Sequence, residues 1–535
     1  MSASREKSKR KEQPAGANSG SKKGMSKGLK WTLGIICLVL VIAIVAFFTM
    51  LTNGFFVTHT TAAVVDGHSI TPATLNYFYK DAYNNFYQTY QSYISYILDT
   101  SKPLDEQVYD EKTGETWADY FTEQALKNAT QTYAIYDEAV KNGFTLTDDQ
   151  QTEIDTSLDS LKSSATSYGY TSLSGFLVAQ FGTGSNEKSY RSYLELTQTA
   201  QYYSQKIYNG FTYSDTDISD AYAASPNDYD GVNYRVFPVT ASLFETTDST
   251  STDTSADSSA ASSSAASSSS ASSSAASSAT SSASTVDPEV AAKEEAMASA
   301  MAEAAKGDEQ AFIDQAYQNA AEDSKTSYED DSYSLRSDKS YSSCETQLAD
   351  WLFDASRKNG DTTYVASDDG YYVAFYIGRE DHDYNMVNVR QILVSVSDTT
   401  DTDAMATAKA KAEDLLAQYE AGDKTEDSFA KLATDNSDDT ATTSTGGLYE
   451  NVVPGQMVTS FNDWCYKENH QPGDTGIIES SYGYHVMYFV GEGDNYRSYL
   501  VENKLRSDDY SDWTTSVTGK ATYTENAFGM RFTTK

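Results

Sequence analysis

The sequence predicts an α+β protein, and three observations predict it. The first is the stretch Val387–Gly491, which reads strand, long helix, short helix, glycine loop, helix, turn and closing strand pair. The second is residues 61–230, where apolar residues recur at helical spacing for most of the length. The third is an internal repeat. Asp350–Asp381 aligns without gaps to Asp463–Asp494 at an offset of 113 residues, with Asp-Trp, Gly-Asp-Thr and Gly-Tyr-x-Val coinciding.

Residues 1–30 carry nine Lys and Arg against two Glu. They are read as a basic cytoplasmic tail. Trp31–Leu51 follows without a charge, rich in Ile, Val and Leu. Twenty-one residues at helical rise span about 30 Å, the hydrocarbon thickness of a bilayer. The expectation is an uncleaved, single-pass transmembrane helix at 31–51. The Lys and Arg before it place the N-terminus in the cytoplasm and the bulk of the chain, strongly acidic, outside.

Ala62–Thr71 is read as a short strand and turn, with Thr71 capping a helix that opens at Pro72. The period from Leu75 to Ile97 predicts one continuous helix of about seven turns. Trp117–Asn142 is a second helix, ended by Gly143, and Thr147–Gln150 is a capping box for a third. Tyr190–Asn209 and Asp215–Ala224 continue the series, ended by Gly210 and Pro226. Residues 245–286 are nearly pure Ser, Ala and Thr, too poor in apolar surface to offset ordering entropy.

With that segment set aside, Val232–Val239 echoes Val387–Val394 at an offset of 155. The Ser/Ala segment then reads as an insertion at 245–286 in a domain spanning 231–385, with helices from Pro288–Ala321. The second copy spans 386–493, and 494–535 is a C-terminal tail. In the second copy, Ala404–Gly422 is rich in Ala, Lys, Glu and Leu and stops at Gly422, and Gly446-Gly447 and Pro472-Gly473 punctuate turns.

Composition narrows function. A formal net charge of −38 argues against nucleic-acid binding, which wants basic patches. Three cysteines make no disulfide framework. Cys344 and Cys465 allow one bridge, with buried free thiols the expectation. His59, His68, His382, His470 and His485 show no metal-ligand spacing, and no P-loop, G-x-S-x-G or C-x-x-C occurs, so no metal or cofactor is expected. The 41 tyrosines suit either peptide-touching surfaces or a Tyr-rich helical core.

Four motifs in the second copy carry a resemblance: R-x-I-L-V (Arg390–Val394), F-x-x-L-A…S-D (Phe429–Asp438), G-G-L…G-Q-M-V-x-x-F (Gly446–Phe461) and Y-G-Y-H-V (Tyr482–Val486). In this order they make the stretch similar to a parvulin-type peptidyl-prolyl cis/trans isomerase domain. The rest of the chain resembles membrane-tethered extracytoplasmic foldases of the PrsA/SurA type, with 61–230 similar to their helical chaperone domain. In those foldases the tail returns to the helical domain.

The resemblance implies a proline slot of Leu448, Met457 and Phe461, with Tyr482 also among the substrate-binding residues. It also implies a polar network of His485, Asp439 and Gln391, with Asp439 near the substrate carbonyl. The sequence departs from the family in three places. Gln391 stands where a histidine is usual, Tyr482 where a small hydroxyl residue is common, and the loop Leu448–Met457 is one residue longer. In the first copy Tyr372 replaces His485, Asp369 replaces Tyr482 and Val236 replaces Gln391, so that copy is read as non-catalytic.

The implied activity is isomerisation of proline bonds in unfolded exported polypeptides. The rival is a holdase with both copies inactive, favoured by Gln391. A structural surface protein would do neither.

Overall fold

The computed structural model describes residues 27–244, 288–467 and 469–534, with side chains of 27–37 and Lys467 outside the description. The Ser/Ala segment, the side chain of Cys37 and nearly all of the basic tail therefore lie outside the description. The chain forms two compact units, one holding residues up to Phe211 together with those from Ser507 on, the other Thr212–Arg506.

The first unit opens with α1 (Lys27–Thr52) and α2 (Phe55–His59). Along α1, Leu38, Val41, Ile42, Val45 and Phe48 are all exposed. Among the described residues no helix is long and apolar enough to cross a membrane. A hairpin follows, β1 (Ala63–Val65) and β2 (His68–Ile70), turning through Asp66-Gly67. Helix α3 (Pro72–Thr89) starts where Thr71 Oγ1 accepts from the Thr74 amide at 3.2 Å.

The seven-turn helix expected from Leu75 to Ile97 is not formed. The chain leaves the helix at Tyr90, and α4 (Ile94–Ile97) is a separate turn. The reason is packing. Phe86 meets Trp117, the first residue of α5 (Trp117–Lys141), so residues beyond it run past the start of their partner helix. Tyr93 and Tyr96 are accordingly exposed. A short hairpin that the sequence does not signal, β3 (Val108–Asp110) and β4 (Glu115–Thr116), fills the gap.

Thr116 and Asp119 cap α5 reciprocally, and Thr147 and Gln150 do the same for α6 (Asp148–Ser167). Helices α7 (Leu173–Phe181), also unsignalled, and α8 (Glu187–Gly210) complete the bundle. Its core includes Leu75, Tyr77, Phe121 and Leu126, all fully buried. Tyrosine thus serves both in the core and on the surface.

The second unit begins with α9 (Asp215–Ala224) and then repeats one pattern twice. The first round is β5 (Gly231–Thr240), α10 (Pro288–Ala304), α11 (Glu309–Asn319), β6 (Leu335–Ser340), α12 (Thr346–Leu352), β7 (Thr362–Ser367) and β8 (Gly370–Glu380). The second is β9 (Asn385–Ser395), α13 (Thr402–Ala421), α14 (Glu426–Asn436), β10 (Leu448–Val452), α15 (Thr459–Lys467), β11 (Thr475–Ser480) and β12 (Gly483–Asn495).

Each round forms a four-stranded antiparallel sheet with the same order, β6-β5-β8-β7 and β10-β9-β12-β11. In each sheet one face packs on the helix pair and the other on the short helix. In the second sheet Ile392, Val394 and Val486 face α13 and α14, while Val389, Met487 and Phe489 pack with Phe461 and Trp464 of α15.

The duplication extends to details the sequence did not show. Arg235 pairs with Glu309 at 2.7 Å, and Arg390 with Glu426 at 2.9 Å. Each copy has a one-residue bulge on its edge strand, with a non-glycine in the left-handed region, Asp338 (φ 47°) and Asn451 (φ 52°). The amide of each donates to an asparagine on the neighbouring strand, Asn233 or Asn388, both at 2.7 Å. On sequence alone Thr445–Met457 reads as a loop. It contains β10, an edge strand too short and polar to register as one.

Helix α16 (Tyr496–Thr518) leads to β13 (Tyr523–Glu525), which pairs antiparallel with β1. The tail thus returns to the helical unit. Cys344 and Cys465 are buried free thiols, so no bridge joins them.

Candidate active site

The site lies on the α15 face of the second sheet. Register decides which side chains can share it, because directly paired residues point to the same face. Gln391 of β9 and His485 of β12 are both on that face and both almost fully buried. A buried polar group needs partners, and each has two.

Asp439 is the anchor. Its Oδ2 accepts from Gln391 Nε2 at 2.8 Å, Thr442 Oγ1 at 2.6 Å and Tyr449 OH at 2.8 Å, and its Oδ1 accepts from the Ala441 amide at 3.1 Å. A carboxylate can only accept, so the Gln391 amide nitrogen must face it. That leaves Gln391 Oε1 facing His485 Nδ1 at 2.5 Å. The imidazole therefore carries its proton on Nδ1, and Nε2 accepts from Ser480 Oγ at 2.7 Å. The result is one directed chain from Ser480 through His485 and Gln391 to Asp439.

Electrostatics agree with this assignment. Burial pulls the His485 pKa down to about 4, against a smaller upward pull from Asp439. The ring is neutral at physiological pH. Burial alone would raise Asp439, but hydrogen bonds from Thr442, Tyr449 and Gln391 outweigh it and hold the carboxyl below its ordinary value. Tyr449 is pushed up to about 12, mainly by burial and then by its bond to Asp439.

The structure brings together Gln391, His485, Asp439, Met457 and Phe461. The Phe461 ring meets His485 edge-on at 5.9 Å and Tyr449 at 6.0 Å, and Met457 packs against the same cluster. Two expected residues stand apart. Leu448 pairs with Arg390, whose side chain reaches Glu426 of α14, so Leu448 points to the opposite face from Phe461. Tyr449, one residue on, takes the place expected of it. Tyr482 is 59% exposed at the β11–β12 turn, and it is Ser480 that supplies the hydroxyl beside His485. The Asp439 oxygens are also taken up by four protein donors, so the carboxylate orients its neighbours instead of presenting a free oxygen to a substrate carbonyl.

Sequence reasoning missed Thr442, Tyr449 and Ser480. Strand alternation from Gly447 could have exposed Tyr449, and pairing Ser480 with Gly483 across the turn could have exposed Ser480.

A polar chain running through a buried neutral imidazole, packed against Phe461 and Met457 on a four-stranded α+β domain, fits a parvulin-type peptidyl-prolyl isomerase domain. The comparisons agree: residues 375–491 match the PPIC-type PPIase domain family. Foldase protein PrsA 1 of Listeria innocua serovar 6a is 36% identical over 104 residues, 19% of this chain and 30% of that protein. Its counterpart in Listeria monocytogenes serotype 4b is 35% identical over the same length and shares. The chain thus matches under a third of the length of these curated relatives. The crystal structure of the peptidylprolyl isomerase PrsA from Bacillus anthracis aligns over 28% of this chain and 58% of its own, at 22% identity and a TM-score of 0.18.

Proposed function

We propose that the chain is a membrane-anchored foldase that isomerises proline bonds in exported polypeptides, at the site on the α15 face. The observation that carries this reading is the continuous hydrogen-bonded chain Ser480–His485–Gln391–Asp439 against Phe461 and Met457.

Rotation about an X-Pro amide meets a barrier of about 18–20 kcal/mol and needs no nucleophile. The site must favour the twisted amide over either planar form. Met457, Phe461 and Tyr449 supply apolar walls for the ring. Ser480 borders a groove with Val458, Ser460 and Ser481, where the substrate chain would sit. His485, Gln391 and Asp439 hold the Ser480 hydroxyl in place, with His485 neutral near neutral pH. Gln391 in place of histidine keeps the network intact, because one amide donates to Asp439 and accepts from His485.

Anchoring is supported by the charge-free run Trp31–Leu51 and by α1, whose 26 residues extend about 39 Å. The proposed orientation puts the N-terminus in the cytoplasm and the bulk of the chain after α1 outside. The repeated sheets support two copies at 231–385 and 386–493, with the first as a binding or spacing module, whereas the helical unit ends at Phe211 and α9 falls with the second unit and not within 61–230.

The test is the rate of cis/trans isomerisation of a proline peptide by the purified protein. A rate above background is expected. No rate, with suppression of aggregation intact, would select the holdase reading instead. Gln391→Ala is expected to lower kcat/KM by roughly 10- to 100-fold, the loss of one or two buried hydrogen bonds. His485→Ala should cost more, because it also removes the ring against Phe461, and a reversed order would overturn the assignment of the network.

The pH profile is a second check. His485 titrates far below neutrality and Gln391 does not titrate, so the rate should stay flat from about pH 5.5 to 8. Stability behaves differently. The unfolded histidine takes a proton near pH 6.5 and the folded one near 4, so the unfolded state binds more protons in between. Stability is present above pH 6.5 and is lost as pH falls toward 4, by on the order of 3 kcal/mol. Denaturant midpoints for the domain at pH 7 and pH 4.5, compared with those of His485→Asn, check this. An equal loss in the variant would show that another group is responsible.

A further inference from the structure

We propose that the aromatic cluster at the foot of α1 is a collar that seats the first unit in the headgroup layer of a lipid bilayer. The proposal rests on the anchor reading above and names a second contact surface for the same membrane.

Phe47 and Phe48 lie in the last turns of α1, and α2 follows after Gly54. Phe47 meets Phe56 at 5.6 Å, and Phe56 stacks on Phe532 at 5.2 Å and meets Phe528 edge-on at 5.9 Å. Phe528 and Phe532 are themselves 5.2 Å apart, and Phe55 stacks on His59 at 4.4 Å. The cluster is not sealed into the protein. Phe48 is 60% exposed, Phe528 50%, Phe47 49% and Phe55 41%. An aqueous surface with that many bare phenyl rings in one place is unfavourable unless something covers it.

The two rings from the tail are held there by backbone. The Asn526 amide donates to Ala62 O at 2.7 Å, and Asn526 Oδ1 accepts from the amides of Phe528 and Gly529. A Cβ on Gly529 would lie 1.9 Å from Thr61 O, so only glycine permits the approach. The Thr534 amide donates to Asn76 Oδ1 at 2.8 Å. A tail tied at three points keeps Phe528 and Phe532 against α2.

Two features favour lipid as the covering. The exposed apolar surface of α1 runs directly into the cluster. No Asp, Glu, Lys or Arg occurs between Lys30 and Asp66, in a chain that is 22% charged. A hydrocarbon span needs only about 20 residues, so the charge-free stretch continues past it through α2. Phe, with Trp and Leu, is the residue type that interfacial elements bury at the boundary between headgroups and acyl chains.

The test places p-benzoylphenylalanine singly at Ile44, Phe528 or Tyr96 in the full chain, inserted into phosphatidylcholine vesicles and irradiated, with adducts read by mass. Lipid adducts are expected from positions 44 and 528 and none from position 96, which is exposed in the same unit. Adducts at 44 without any at 528 would overturn the collar and leave the anchor standing. No adduct at 44 would remove the anchor and the collar with it. Crosslinking of position 528 to a second copy, or to an added unfolded polypeptide, would also overturn the collar, as would lipid adducts at position 96.

Discussion

Gly447→Ala is expected to abolish isomerisation and to destabilise the second sheet. Gly447 has φ 73°, and a Cβ there would lie 2.1 Å from the carbonyl oxygen of Gln391 and 3.0 Å from Ala433 Cβ. The left-handed backbone costs an L-residue about 1–2 kcal/mol. The clash is with main chain, so the β9–β10 pair must open, breaking the bond from the Gln391 amide to Gly447 O. Losing that bond and the bonds of Gln391 to His485 and Asp439 brings the expected total to at least about 3–4 kcal/mol. Gly455→Ala is the control. It also has positive φ, but a Cβ there meets nothing within 4 Å, so only backbone strain remains. Denaturant midpoints and rates of the two variants should differ sharply. Equal effects would mean that strain, not the approach to Gln391, governs the site.

Phe461→Ala is expected to cost about 3–5 kcal/mol, the range for deleting a buried phenyl ring, together with all measurable rate. Phe461 is only 2% exposed and packs with Val389, Val452, Trp464, Met487 and Phe489. It is a wall of the slot and a keystone of the core at once, so its loss cannot separate catalysis from folding. Met457, half-buried at the edge of the same cluster, can. Met457→Ala should lower kcat/KM while the thermal midpoint shifts little. A Phe461→Ala protein of native stability would show that the ring is not core, and a Met457→Ala protein with full activity would show that the thioether does not line the slot.

The parts of this fold that sequence reached are those whose physics is local. Capping residues such as Thr71 and Thr147, the alternation of Arg390–Val394, and the turn at Gly422 announce themselves within a few positions. The repeat at offset 113 was legible because β7 and β11 keep their lengths. What stayed hidden depends on partners distant in sequence. The α3 helix stops at Tyr90 because α5 starts where it does, and no period in α3 encodes that. Leu448 and Tyr449 differ only by which strand residue each faces, and a register cannot be read from one strand alone. Ser480 became the hydroxyl beside His485 because a turn folds it back, while Tyr482 occupied the position that motif matching favoured.

The pairing of β13 with β1 has a consequence for how the protein is made. The strand that completes the N-terminal sheet leaves the ribosome only after everything between Thr212 and Arg506 has done so. The amino-terminal unit is therefore completed only after the second unit has emerged. A product cut short before Tyr523 would leave Ala63–Val65 with a bare, adhesive border, the kind of edge that recruits other chains into aggregates.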